Sequence, residues 1–205
     1  MINKKRLFKI IVLSLSITIL FVVSGCNQNV NKDEKPPNLT EGLAFGNTSA
    51  PLKFVEYSSF QCPDCRKLHQ NLKNTLQKYI DEQKIYYVFK PVDIKSFEYD
   101  QFIYNNLSEN DENLNMINTI FEKQNEWSKV KTENEVKQIL KLNEVDNSLS
   151  EKRKQTMNHI NVDLQERGIR EVPTFYINGE RFVGVYSEEE ILDLLKNEIL
   201  DLLKK

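Results

Sequence analysis

The chain is poor in the residues that mark several whole classes of protein. Only three cysteines occur in 205 residues, too few for a disulfide-stapled scaffold, which needs more of them at spread spacings. Six glycines and six prolines exclude collagen-like repeats and long low-complexity stretches. Cys62, Cys65 and His69 would supply three ligands to zinc, but no second pair completes the four that a structural site takes, and His159 stands far along the chain. Basic and acidic side chains nearly balance, 28 against 30, for a net charge of -2, so no partnership with nucleic acid is expected. What is present is an ordinary globular composition, 40% hydrophobic and 28% charged. The length suits one domain with a sizeable core plus an extra segment. No internal repeat is visible.

That extra segment is N-terminal. Lys4, Lys5, Arg6 and Lys9 precede an apolar run over 10–23, interrupted only by Ser14, Ser16 and Thr18. A membrane-crossing helix needs about 20 residues, and this shorter run fits the hydrophobic part of a secretory signal. Val23-Ser24-Gly25-Cys26 follows and resembles the bacterial lipobox, with Val23 where leucine is usual. The resemblance implies a lipoprotein signal peptide over 1–25 and a lipidated Cys26 at the start of the mature chain. The alternative is a plain membrane anchor with a chance cysteine. Residues 26–40 carry Pro36-Pro37 and no apolar periodicity, and read as a flexible tether. Abundant Asn and Lys, taken with the lipobox, point to a Gram-positive bacterium and to the outer face of its cytoplasmic membrane.

Residues 41–205 read as one domain. A strand is expected over 52–57, then a helix over 63–80 carrying Leu68, Leu72, Leu76 and Tyr79 at helical spacing. Pro63 suits the first helical position, where its missing N–H costs nothing. A second strand over 85–89 implies a parallel pair with a right-handed crossover. The stretch of about 96–167 is mostly helical. Leu114, Ile117, Ile120 and Phe121 mark one face there, and Met157, Ile160 and Leu164 another. Thr132 and Glu135 form a capping pattern, Trp127 is expected to pack inside this block, and Gly168 can end its last helix. A strand over 174–177, the turn Asn178-Gly179 and a returning strand over 181–185 form a hairpin. Ser187 and Glu190 then cap a final helix whose apolar face is Ile191, Leu194, Leu195, Ile199 and Leu202. The order is β-α-β, a helical block, then β-β-α: a split α/β sheet with helices on both faces and an all-helical insertion.

The chemistry sits at Gln61-Cys62-Pro63-Asp64-Cys65, where a strand gives way to a helix. Unpaired N–H groups and the macrodipole at a helix N-terminus favour an anion. Thiol pKa values in such motifs fall to roughly 3.5–7.5, against about 8.5 for a free cysteine. The thiolate is both the attacking species and a ready leaving group. A spacing of two lets both sulfurs meet within one helical turn.

Further segments carry a resemblance. Gly46-Asn47 with Ala50-Pro51, Phe54-Val55-Glu56-Tyr57, Phe60 with Cys62-Pro63 and Cys65, and Val172-Pro173-Thr174-Phe175 with Ile177-Asn178-Gly179 resemble the DsbA family of thiol–disulfide oxidoreductases. The likeness covers roughly 46–89 and 168–205 and implies a thioredoxin-like fold. It implies Cys62 as nucleophile, Cys65 as the buried resolving cysteine, and Pro173 as a cis-proline facing the disulfide, with Val172 offering its backbone to substrate. An ordinary proline at the start of a strand is the plainer reading of Pro173. Glu56 would lie beneath the cysteines and relay a proton to Cys65; otherwise it is a surface glutamate at a strand end. Pro63 and Asp64 would line the substrate side. Asp64 departs from the histidine common in oxidising members and opposes a negative sulfur at Cys62. His69 is expected on the helix surface or in packing.

The family's activity implies disulfide formation in exported proteins through a redox-active Cys62–Cys65 pair with no bound cofactor. The partners would be exported protein thiols and a quinone-coupled membrane protein. Two other readings stand beside it: a reductase or isomerase fed electrons from the membrane, and a non-catalytic lipoprotein that keeps the cysteines as a static staple.

Overall fold

The computed structural model describes residues 35–108 and 113–204. The expected signal peptide, the lipobox and Cys26 lie outside the described residues. Five strands and seven helices are present among those described. In chain order they are β1 (Leu43–Gly46), β2 (Leu52–Ser58), α1 (Pro63–Asp81), β3 (Ile85–Pro91), α2 (Asp100–Asn105), α3 (Leu114–Glu122), α4 (Gln124–Trp127), α5 (Glu133–Leu140), α6 (Asn147–Glu166), β4 (Thr174–Ile177), β5 (Glu180–Val183) and α7 (Glu188–Leu203). The sheet order is β1-β3-β2-β4-β5. β2 and β3 run parallel, joined by α1 as the β-α-β pattern implies, while β1, β4 and β5 pair antiparallel.

β2 is central, and its side chains alternate between the two faces. Leu52 and Phe54 enter the larger core with Leu68, Leu72 and Leu76 of α1 and Ile191 and Leu195 of α7. The helical block, through Ile103, Ile117, Ile120, Phe121 and Trp127, extends this same core. Trp127 anchors it by donating its indole N–H to the Ile120 carbonyl at 2.7 Å. Val55 and Tyr57 point the other way and pack with Val88, Tyr176 and Ile160 of α6. Helices therefore cover both faces, which is why β2 and β3 read as near-continuous apolar runs.

Local signals act as read. Ser187 and Glu190 form a complete capping box. Asn178 and Gly179 take positive φ, 49° and 90°, the pairing a two-residue hairpin turn requires. Gly168, at φ 60°, follows the end of α6. The returning strand is shorter than expected, ending at Val183, because Gly184 turns to φ 94°. Strand β1 was not expected: four residues, Leu-Ala-Phe-Gly, carry too little pattern to announce a strand. It forms because Gly42 and Gly46 bring their backbones against β3. A Cβ at either would come within 2.4 Å of the Phe89 or Ile85 carbonyl oxygen.

Part of the expected tether lies against the domain. Pro37 is buried, Leu39 packs beside the smaller core, and Arg167 donates to the carbonyls of Lys35 and Pro36. Among the described residues no helix is long and apolar enough to cross a membrane.

Candidate active site

Cys62 is the N-cap residue of α1, and its own sulfur serves as the capping acceptor, taking the Cys65 N–H at 3.4 Å. The Cys62 carbonyl accepts the Arg66 N–H at 3.1 Å, the first bond of the helix. The sulfur thus sits where the unpaired donors of a helix start converge. Both cysteines are free thiols. Cys62 is 9% exposed and Cys65 not at all, so an incoming sulfur reaches Cys62 first. Pro63 and Asp64 are exposed beside it.

The two thiols are driven apart in acidity. Hydrogen bonding from the Cys65 side chain, helped by the backbone N–H groups of Cys65 and Asp64, outweighs burial and lowers the Cys62 pKa to about 6. The Asp64 carboxylate acts in the opposite direction, as its charge dictates, but more weakly. Burial, reinforced by the neighbouring Cys62, pushes Cys65 well above the ordinary thiol value. One sulfur is therefore mostly thiolate near neutrality and the other holds its proton.

Pro173 follows a cis peptide bond, as the resemblance implied. The residue before it, Val172, places its carbonyl oxygen 3.7 Å from the Cys62 sulfur. β4 begins at Thr174 and pairs with β2, so the strand register carries this loop up to the cysteines. Beside Val172 a cavity of about 250 Å³ opens, with Val92, Ile94, Leu164 and Ile169 in its wall.

Glu56 is wholly buried in the middle of β2; the surface reading is excluded. The Tyr87 hydroxyl donates to its Oε2 at 2.8 Å, while Oε1 has no hydrogen-bond partner. Burial raises its pKa to about 7. The Ser58 hydroxyl is near enough to lower the pKa of both Glu56 and Cys65, yet forms no well-shaped hydrogen bond of its own.

Several residues of the site carry no sequence signal. Asp100, at the start of α2, is buried and accepts from the Ser59 hydroxyl at 2.6 Å and the Gln61 N–H at 3.2 Å. Gln124 of α4 donates from one amide nitrogen to the Phe60 carbonyl at 2.6 Å and the Cys62 carbonyl at 3.0 Å. The helical block thus holds the loop before the cysteines from above. These contacts span 39 to 64 residues of chain, and no local pattern announces them. His69 is a packing residue: its ring lies tilted against Phe121, centroids 4.7 Å apart, and Nε2 lies 2.7 Å from the Asn118 side-chain oxygen. Among the described residues, no group of three or more His, Cys, Asp or Glu side chains is placed to hold a metal ion.

Comparison with known proteins agrees with this geometry. No curated protein matches the sequence. Solved structures similar to it include a conserved protein of unknown function from Enterococcus faecalis, 21% identical, with TM-score 0.67 over 78% of this chain and 91% of that one. BdbD from Bacillus subtilis in its oxidised form is 20% identical, with TM-score 0.63 over 80% of this chain and 95% of that one. The α-DsbA1 protein of Wolbachia pipientis is 20% identical, with TM-score 0.62 over 82% and 96% of the two chains. These likenesses establish the fold, a thioredoxin-like sheet with a helical insertion. The sequence itself matches the thioredoxin family over residues 38–197, taking in both halves of the split sheet and the block between them. On that match the chain belongs to the thioredoxin family, in the form of its fold that DsbA-type thiol–disulfide oxidoreductases share.

Proposed function

We propose that the protein is an extracytoplasmic, lipid-anchored thiol–disulfide oxidoreductase that forms disulfides in exported proteins. The observation that carries this reading is the split acidity of the pair: Cys62 lowered to about 6 at a helix start, Cys65 buried and raised. A substrate thiolate attacks Cys62 of the Cys62–Cys65 disulfide, and Cys65 leaves as a thiolate and takes up a proton. A second substrate thiolate then attacks the substrate sulfur of the mixed disulfide. The substrate disulfide closes and Cys62 leaves, favoured by its low pKa. Glu56, with a pKa near neutrality and Ser58 acting on both it and Cys65, supplies the proton that Cys65 takes up. The Val172 carbonyl supports strand-like pairing with an extended substrate segment, Pro173 holds the loop facing the sulfurs, and the cavity beside Val172 has room for a flanking side chain. Pro63 and Asp64 form the exposed rim that a substrate meets. Anchoring through Cys26, and reoxidation by a quinone-coupled membrane partner, complete the proposal.

One observation favours a second reading. The Asp64 charge raises the Cys62 pKa, which makes the pair less oxidising and suits a reductase or isomerase. Equilibration of the pair with glutathione separates the two: a potential near about -120 mV supports the oxidase, and one near about -270 mV the reductase. In either case Cys62→Ser abolishes both refolding of reduced ribonuclease and reduction of insulin. Cys65→Ser accumulates the mixed disulfide. Exchange surviving in Cys62→Ser would overturn the proposal and leave the non-catalytic lipoprotein in its place.

A further inference from the structure

Two consecutive serines flank the resolving cysteine, and each faces a buried carboxyl. Ser58 leads to Glu56. Ser59 leads to Asp100, which the helical block supplies from 41 residues further along the chain. The Ser59 backbone N–H points at the Cys65 sulfur at 3.5 Å, while the Ser59 hydroxyl donates to Asp100 Oδ2 at 2.6 Å. Asp100 Oδ1 takes the Gln61 N–H at 3.2 Å, and the Gln61 N–H also reaches the Ser59 hydroxyl at 3.2 Å. One carboxylate therefore gathers the turn 59–61 and sets the direction of the one backbone donor aimed at Cys65 Sγ from that turn. Asp100 and Ser59 are both fully buried, so no water competes for these bonds. Burial raises the Asp100 pKa to about 7, against the pull of Ser59, Gln61 and Phe60 and with a further push from Asp93.

Resting on the exchange reading above, we propose that Asp100 is a positioning residue for the resolving step, acting on Cys65 through Ser59. Consider the reduced protein meeting a disulfide. The Cys62 thiolate attacks one sulfur, and the other half leaves as a thiolate. Cys65 then loses its proton and attacks Cys62 Sγ. The Cys62–Cys65 bond forms, the mixed disulfide breaks, and the departing thiolate takes up the proton. The protein loses two electrons and the added disulfide gains them. The Ser59 N–H stabilises negative charge on Cys65 during that second attack alone, and the Asp100 bond keeps it aimed.

Glutathione disulfide serves as the probe, because mixed-disulfide formation and glutathione release can be timed separately. Iodoacetamide reports Cys62 reactivity independently. Asp100→Ala is expected to slow glutathione release by about tenfold, the size of one hydrogen bond to an anion, with Cys62 alkylation changed by less than about twofold. Asp100→Asn keeps an acceptor for the turn and restores the release rate to within about threefold of the parent. Ser59→Ala removes the link while sparing the Gln61 N–H bond to Asp100, and slows release in the same way. It serves as the test should Asp100→Ala fail to fold. The proposal is overturned if release runs at the parent rate in Ser59→Ala, or if release and alkylation fall together and Asp100→Asn rescues neither. Failure of the parent protein itself to form the mixed disulfide would instead defeat the exchange reading.

Discussion

On one face of the central sheet Glu56 lies fully buried with a single phenol, Tyr87, as its hydrogen-bond partner. On the other face Lys90 is as deeply buried, but among charges. Its ammonium lies 3.7 Å from Asp163 and 4.0 Å from Glu41, over the ring of Tyr57 at 5.5 Å. Asp163 also takes Arg167 Nε at 2.8 Å and the Tyr57 hydroxyl. The two strands that present these groups, β2 and β3, are neighbours. A carboxyl without a counter-charge titrates near neutrality and can give or take a proton there. A cation set between two carboxylates ties elements together instead, even though burial lowers its pKa. The face that keeps its buried acid uncompensated is the face that carries the cysteines.

The largest expected effect breaks the compensated side. Asp163→Ala leaves Lys90 and Arg167 with one carboxylate fewer in a buried setting, and is expected to cost about 3 kcal/mol of stability. Urea unfolding measures this, with Cys62 alkylation followed in parallel. Stability should fall while Cys62 reactivity holds. A loss of reactivity matching the loss of stability would show that the two faces do not act separately.

A smaller effect comes from removing Glu56. Glu56 has a folded pKa of about 7 against an ordinary 4.5. Between those values the folded chain holds more protons than the unfolded one, so stability is present at low pH and is lost as pH rises through about 7. Glu56→Gln carries no charge at any pH, and at pH 8 it should exceed the parent by on the order of 2 kcal/mol. Its Cys65-dependent exchange should also lose the pH step near neutrality. Parallel stability profiles for parent and variant in thermal unfolding would count against an isolated acid.

The smallest effect concerns His69, another buried titratable group on the redox face without a counter-charge in contact. Burial lowers its pKa from 6.5 to about 4. Here the folded chain holds fewer protons across that window, so its contribution is present above 6.5 and lost as pH falls towards 4. His69→Gln is expected to flatten this acid-side loss by roughly 1 kcal/mol, read as guanidinium midpoints at pH 7 and 4.5. An unchanged difference between the two midpoints would contradict it.

Glu56 stood out in the sequence because a charge interrupts an apolar strand, whereas Lys90 and Asp163 did not, since each becomes informative only beside the other. The cysteine pair, its helix, the hairpin at Asn178-Gly179 and the Ser187 cap were legible because their causes lie within a few residues. β1 was not, because a four-residue edge strand is held by its neighbour and by two glycines that permit the approach.

Sequence by itself determined the strand-to-helix junction at Cys62, the alternation that turns Glu56 inward with Phe54, and the order of halves and insertion, because backbone propensity, capping and periodicity act at short range. Only the tertiary structure decided that Val172 faces Cys62, that Tyr87 is the partner of Glu56, and that Asp100 and Gln124 hold the turn before the cysteines. Those contacts join segments 31 to 110 residues apart. They arise where packing removes water and leaves each buried polar group to find whichever partner the fold brings near.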